Sequence, residues 1–264
     1  MRTAEFFATH PVFSLDEAAR ALVPPGGRAG MVERLKYYLE MGRLRLVTRG
    51  VYAVVPPGTS SQFRPDPFLV AVATRPDGIF SHHSALELLG AAHSVWSQYA
   101  LYTTRRRKPL ALDGATIRFL DHPATMRKGS LRRLGIRRIE HRGRVLEVTG
   151  PERTLVEGFL RPGLAGGLEE LVVSASGFTT IDLDLLKEVL RRHGLAKLWA
   201  ATGWFLERFQ RIFHVPDSFL TTLARHRPRS PQYLEPGERG GTLMTRWNLI
   251  VPRPLLRARE PNER

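Results

Sequence analysis

The stretch MVERLKYYLEMGRLRLVTRGVYAVV, residues 31–55, leaves the chain few ways to fold. Met31, Leu35, Tyr38 and Leu39 recur at helical spacing, which predicts an amphipathic helix from about Ala29 to Met41. Gly42 follows as the residue that can turn left-handed after a helix. RLRLV and VYAVV then favour strands, joined through Thr48-Arg49-Gly50, where Gly50 supplies the positive φ that a tight hairpin needs. Upstream, TAEFFATH predicts a short helix closed at His10-Pro11. FSLDEAARAL predicts another, with Ser14 as N-cap and Glu17 completing a capping box, and VPPGG ends it. Helix, helix, helix, strand, strand in under sixty residues is the order of a winged helix-turn-helix, whose last helix reads the DNA major groove.

The predicted fold class is therefore α+β, an N-terminal winged helix-turn-helix followed by a larger mixed α/β domain. PPGTSSQFRPDP is rich in Pro, Gly and Ser, and the expected division is 1–57, a linker at 58–67, and 68–264. Beyond the linker, PFLVAVATRPDGIFSHHSALELLGA predicts helix, turn and a second helix capped by Ser81. YALYTTRRR, TIRFLDH, LGIRRIEHRG and RVLEVTG predict successive strands. PERTLVEGFLRP predicts a helix with proline at its first position, and three more helical stretches lead to a closing strand at RWNLIVPRP.

Charge narrows the partner. The net charge is +15, and lysine occurs only at positions 36, 108, 128, 187 and 197, so nearly all of the excess is arginine, which grips phosphate bidentately. Such a balance points to a polyanion, and nucleic acid is the commonest one. The opening 57 residues hold eight bases against five acids, whereas residues 105–144 hold thirteen against Asp113, Asp121 and Glu140. Self-repulsion on that scale favours a partner over a merely solvated face. Arg28, Arg34, Lys36 and Tyr37 on the predicted reading helix, Arg43 behind it and Arg49 at the wing tip are the candidate DNA contacts. Arg105, Arg106, Arg107, Lys108, Arg127, Lys128, Arg132 and Arg133 extend them. Glu33 and Glu40 share the helix face and oppose phosphate.

Other chemistry finds less support. Without cysteine there is no disulfide framework and no thiolate metal site. His82 and His83 are adjacent and point different ways, which argues against a shared metal. GRAG and LAGGLEEL match neither phosphate-cradling glycine pattern, and no GxSxG elbow exists. Asp182, Asp184, Glu152 and Arg153 fall in first helical turns, where acids suit the dipole. The expectation is a non-enzyme without cofactors. No apolar run approaches the roughly 18–20 residues of a membrane span, and the opening MRTAEFFATHPVF lacks the apolar core of a signal peptide, so a cytoplasmic location is expected. Two rivals stay open: a nucleic-acid-processing enzyme that docks through its winged helix, and an interaction module whose basic middle meets an acidic protein.

Four segments, GRLRLVTRGVYAV, FSHHSALELLGA, VTGPERTLVEGF and RWNLIVP, in this order, resemble the AbiEi family of bacterial type IV antitoxins and transcriptional regulators. The resemblance spans nearly the whole chain. It implies a winged helix joined to an antitoxin domain, autorepression through inverted repeats in double-stranded DNA, and a nucleotidyltransferase-like toxin as partner in phage defence. Carried over by position, the DNA-contacting parts are the helix beginning at Arg28-Ala29, the wing around Arg49, and basic residues of the second domain, here Arg105, Arg106, Arg107 and Lys108. Regulators of this layout also occur without a toxin. VPPGGRAG departs from the pattern by an added proline-glycine turn, which blurs the choice of base-facing residues.

Overall fold

A computed structural model describes residues 2–59, 62–105, 107–235, 237 and 240–257. The chain opens with α1 (Thr3–Thr9), β1 (Val12–Ser14), α2 (Leu15–Leu22), α3 (Gly27–Glu40), β2 (Leu44–Thr48), β3 (Val51–Val54) and α4 (Pro67–Thr74). Then come β4 (Ile79–Phe80), α5 (His83–Leu88), β5 (Gln98–Thr103), β6 (Leu110–Leu112), β7 (Ala115–Asp121), β8 (Ile136–His141) and β9 (Arg144–Thr149). It continues through α6 (Pro151–Leu160), α7 (Leu168–Ser176), α8 (Leu183–His193), α9 (Ala196–Arg208) and α10 (Asp217–Ala224). It closes with β10 (Gln232–Tyr233), β11 (Thr242–Met244), β12 (Leu249–Val251) and α11 (Arg253–Arg257). The architecture is α+β with mixed strand pairing, as expected. Among the described residues no helix is long and apolar enough to cross a membrane.

Two compact units emerge, and neither is continuous in sequence. The first holds Met1–Gly78, Ser97–Asp121 and Glu140–Leu146; the second holds Ile79–Trp96, His122–Ile139 and Glu147–Arg264. Residues 68–78, expected beyond the linker, thus group with the opening segment. The linker region itself is tethered where it is described: Arg45 donates to the Phe63 carbonyl at 2.9 Å, and Arg64 pairs with Asp113 at 3.1 Å.

In the first unit β3 lies between β1 and β2, antiparallel to both. Strand β1 was not anticipated; three residues are too few to show a period. Phe6, Phe7 and Phe13 pack with Leu15, Met31, Leu35 and Tyr52 into one core, Phe6 and Phe13 meeting edge to face at 5.0 Å. Ser14 accepts from the Glu17 amide at 3.2 Å while Glu17 reaches back to the Ser14 amide, so the anticipated capping box forms. Helix α4 packs on β1 and β3 and also meets β5 and β7. There β7 runs parallel to β5 and antiparallel to β6.

The second unit is built around α6. Every residue from Pro151 to Phe159 is buried, and α5, α7, α8 and α9 pack around it. A helix with no exposed face is a core helix, whatever charges it carries. The long helical stretch from Asp182 divides into α8 and α9 because Gly194 turns left-handed at φ 68°. Asp182 caps α8, accepting from the Asp184 and Leu185 amides at 3.0 Å. The helix expected to be capped by Ser81 instead begins after His82, whose φ is 54° and whose Nδ1 sits 3.0 Å from Ser81 Oγ. The closing strand β12 pairs with β10 and β11. Just before it, Trp247 is wholly buried and donates to Glu207 at 2.5 Å.

The Trp247 ring packs against α9 where Gly203 leaves room: a Cβ there would stand 2.0 Å from Cζ3. Gly203→Ala is therefore expected to lower unfolding free energy by about 1–3 kcal/mol, the usual range for overpacking, read as a reduced urea midpoint. Gly163→Ala meets nothing within 4 Å and should leave the midpoint unchanged or slightly raised.

Candidate nucleic-acid interface

Helix α3 is set against α2 by backbone. Val23 ends α2 with a left-handed φ of 39°, Gly26 and Gly27 follow with φ of 77° and 57°, and α3 starts at Gly27 instead of Ala29. At Gly30 the helix touches the turn so closely that a Cβ would stand 1.9 Å from the Pro25 carbonyl oxygen. The proline-glycine turn therefore packs directly against α3 at Gly30.

Met31 and Leu35 point inward from α3. Glu33, Lys36, Tyr37 and Glu40 are exposed, and Arg34 lies half-buried on the flank. Two of the candidate cations already have partners: Arg28 pairs with Asp16 at 2.8 Å and Lys36 with Glu33 at 2.7 Å. Both pairs are solvent-exposed, so they contribute little and open readily to a competing phosphate. Arg43 lies over the Tyr38 ring, 5.8 Å from its centroid, and is otherwise exposed.

The β2–β3 turn presents Arg49 to solvent, with Gly50 at φ 75°. A residue 59 positions away comes to this turn: Arg107 donates to Thr48 Oγ1 at 3.4 Å and stacks over Phe119 at 5.7 Å. Its loop is anchored from below. Arg75 donates to the Arg105 carbonyl at 2.7 Å and pairs with Asp77 at 2.8 Å. Asp77 in turn accepts from the Thr104 amide at 2.8 Å and hydroxyl at 2.5 Å. Burial alone would raise the Asp77 pKa, but Arg75 and Thr104 outweigh it and hold the carboxyl far below its ordinary value. Arg105 and Lys108 are exposed like Arg107, and all three belong with Arg49 to the first unit. Arg106 lies outside the described residues.

A third basic element reaches this unit with no local signal in the sequence. At the β8–β9 turn, Arg144 pairs with Glu17 at 2.6 Å, and His141 and Arg142 approach Asp66 at 2.8 and 3.0 Å. Glu17 thereby serves both the cap of α2 and the turn.

Arg127, Lys128, Arg132 and Arg133 belong to the second unit. Arg127 and Lys128 are exposed, Arg132 is half-buried, and Arg133 is engaged by Glu147 at 2.5 and 3.1 Å, which weakens its case as a phosphate contact. Their segment is held from inside by Arg153, wholly buried, which donates to the Arg132 and Leu134 carbonyls at 2.9 and 3.1 Å and to Glu157 at 2.8 Å. Glu152, also buried, accepts from the Asp182 amide at 2.8 Å and from Arg137 at 3.4 Å. These two were expected to serve a helix dipole; they are core tethers instead, because buried charges persist only where partners satisfy them. The adjacent histidines do diverge: His83 comes 3.3 Å from Glu170 and stacks on Trp96, while His82 faces Ser81.

No family model and no curated protein matches this chain. Among solved structures, the RV2827C protein from Mycobacterium tuberculosis is similar, with a TM-score of 0.64 and 18% identity over 97% of this chain and 92% of that one. At such identity the likeness speaks for the fold alone. The segments that carry the family resemblance are largely packing elements too, since Ser84–Leu86, Glu152–Gly158 and Trp247 are all buried.

The buried polar core makes the fold sensitive to acid. Burial depresses His82, outweighing the attraction of Glu157, from 6.5 to about 4. Burial would raise Glu157, but His193 and Arg153 outweigh it and hold the carboxyl below its ordinary value. Between pH 6.5 and about 4 the unfolded chain binds a proton at His82 that the folded one refuses, so stability falls as pH drops through that window. Glu157 adds a loss at the acid end, since its stabilisation disappears as it protonates. Denaturant unfolding should show roughly 3 kcal/mol lost across the window on account of His82, and His82→Asn should flatten that slope. An equally steep slope in the variant would assign the effect elsewhere.

Proposed function

We propose that this chain is a sequence-specific DNA-binding transcriptional repressor, the autoregulatory antitoxin of a type IV toxin–antitoxin system. On this reading the segment from α1 to β3 is a winged helix-turn-helix, α3 enters the major groove, and the β2–β3 hairpin is the wing. The observation that carries it is the contact of Arg107 with Thr48. It joins the arginine-rich β5–β6 loop to the tip that presents Arg49, within one compact unit.

The chemistry suits a duplex. A helix fits the major groove, about 12 Å wide, and half-buried Arg34 with exposed Lys36 and Tyr37 supply a fork, a charge and an aromatic edge on α3. Guanidinium groups at Arg49, Arg105 and Arg107 match backbone phosphates, which fix register without reading sequence. The loop behind them is held by Asp77 and Arg75, so little ordering entropy remains to be lost on binding. The antitoxin role rests on the ordered family resemblance and extends the DNA-binding role; its partner is a nucleotidyltransferase-like toxin.

A mobility-shift titration on the region upstream of its own gene should give tight binding that weakens steeply with salt. Each lost phosphate contact lowers the log–log salt slope by about 0.9. Arg107→Ala is expected to show that reduction, and the double variant Arg34→Ala, Arg49→Ala to weaken binding further. Unchanged affinity in the double variant would remove helix and wing from the mechanism. For the second role, a neighbouring nucleotidyltransferase-like gene should arrest growth alone and be tolerated when this chain is co-expressed.

A further inference from the structure

In the second unit, α10 ends on the sequence RHRPRS, residues 225–230, and a cavity of about 500 Å³ opens there. It is lined by Arg225, Arg227, Arg229, Thr221, Pro228 and Asn248, among others, and no carboxylate lines it. Among the described residues neither Arg225 nor Arg229 takes part in an ion pair. Arg227 donates one guanidinium N–H to the Arg246 carbonyl at 2.8 Å, which orients the fork and leaves its other donors available. The nearby acid, Glu207, is occupied by Arg246 and Trp247 at 2.7 and 2.5 Å.

The chain beside the cavity is held by several contacts. His226 stacks on Trp199 with ring centroids 4.1 Å apart and bonds the Thr222 carbonyl at 3.0 Å. Asn248 donates to the Pro228 carbonyl at 2.9 Å. A helix C-terminus ordinarily repels anions through its free carbonyls. Here those of Thr221, Leu223 and Ala224 accept from the amides of Arg225, His226 and Arg227, so that repulsion is muted. Three arginines therefore line one cavity, and among the described residues no carboxylate lines it.

We propose that this cavity binds a phosphate monoester group. Planar forks match phosphate oxygens bidentately, and three cations around one point suit a group bearing about −1.5 to −2 charge better than a singly charged diester. Its lining residues belong to the second unit and α3 and the β2–β3 turn to the first, so the proposal is tested independently of operator binding.

The test is phenylglyoxal modification of the full-length native protein, mapped by peptide mass spectrometry. It is run at constant ionic strength in potassium chloride, with inorganic phosphate, with a 5′-mononucleotide, and with a 5′-phosphorylated or 5′-hydroxyl oligonucleotide. Phosphate and the mononucleotide should slow modification of Arg225 and Arg229 severalfold while leaving Arg49 unprotected. Of the oligonucleotides, only the phosphorylated one should protect the cavity if a strand end is the source; protection by the mononucleotide alone would assign a free nucleotide. Arg225→Gln should weaken phosphate binding, followed by calorimetry, by roughly tenfold, as for loss of one charge-assisted contact, while operator affinity stays the same. Absence of saturable protection, equal protection of Arg49, or unchanged phosphate affinity in the variant would overturn the proposal.

Discussion

Carboxylates are the limiting groups in this molecule. With 40 basic residues against 25 acidic ones, the position of each acid determines which arginines are neutralised and which remain free. The structure places acids where they join segments distant in sequence: Glu17 to Arg144, Asp66 to Arg142, Asp113 to Arg64. Each such pair removes one repulsive cation and at the same time closes a long loop. The arginines left over are therefore not a random remainder. Some of them lie at the tip of the β2–β3 turn, along the β5–β6 loop and around the end of α10.

Two interiors meet this constraint differently. In the first unit the core is aromatic and aliphatic, and ion pairs stay at or near the surface. In the second, the central helix carries Glu152, Arg153 and Glu157 inward, where an amide meets Glu152, peptide carbonyls meet Arg153, and Arg153 itself meets Glu157. Replacing one partner of such a network leaves the other buried and uncompensated, which costs more than the pair contributes. Arg153 thus connects the core to the segment bearing Arg127 and Lys128, without exposing any of its own charge.

Features set by near neighbours were legible in the sequence. The Ser14–Glu17 box, the Gly50 turn and the Asp182 cap all depend on residues within a few positions. The α+β class followed from the alternation of periods. Features set by distant partners were not legible. Glu152 and Arg153 read as residues of a first helical turn, and nothing local showed that the carbonyls of Arg132 and Leu134, together with Glu157, would make burial of Arg153 tolerable. Arg107 was singled out for its charge, yet nothing local indicated that it would meet Thr48. Strand β1 is too short for a pattern, and Glu147 gives no sign in the sequence that it neutralises Arg133.

The contact between Gly30 and the Pro25 carbonyl has a bearing on how such a molecule can change over time. The pose of α3 is set by main chain against main chain, with Met31 and Leu35 securing it from the inner side. None of the outward residues, Glu33, Lys36, Tyr37 or Glu40, takes part in that seating. Exchanging them therefore leaves the seating of the helix unaltered, whereas any side chain at the glycine would force the turn apart.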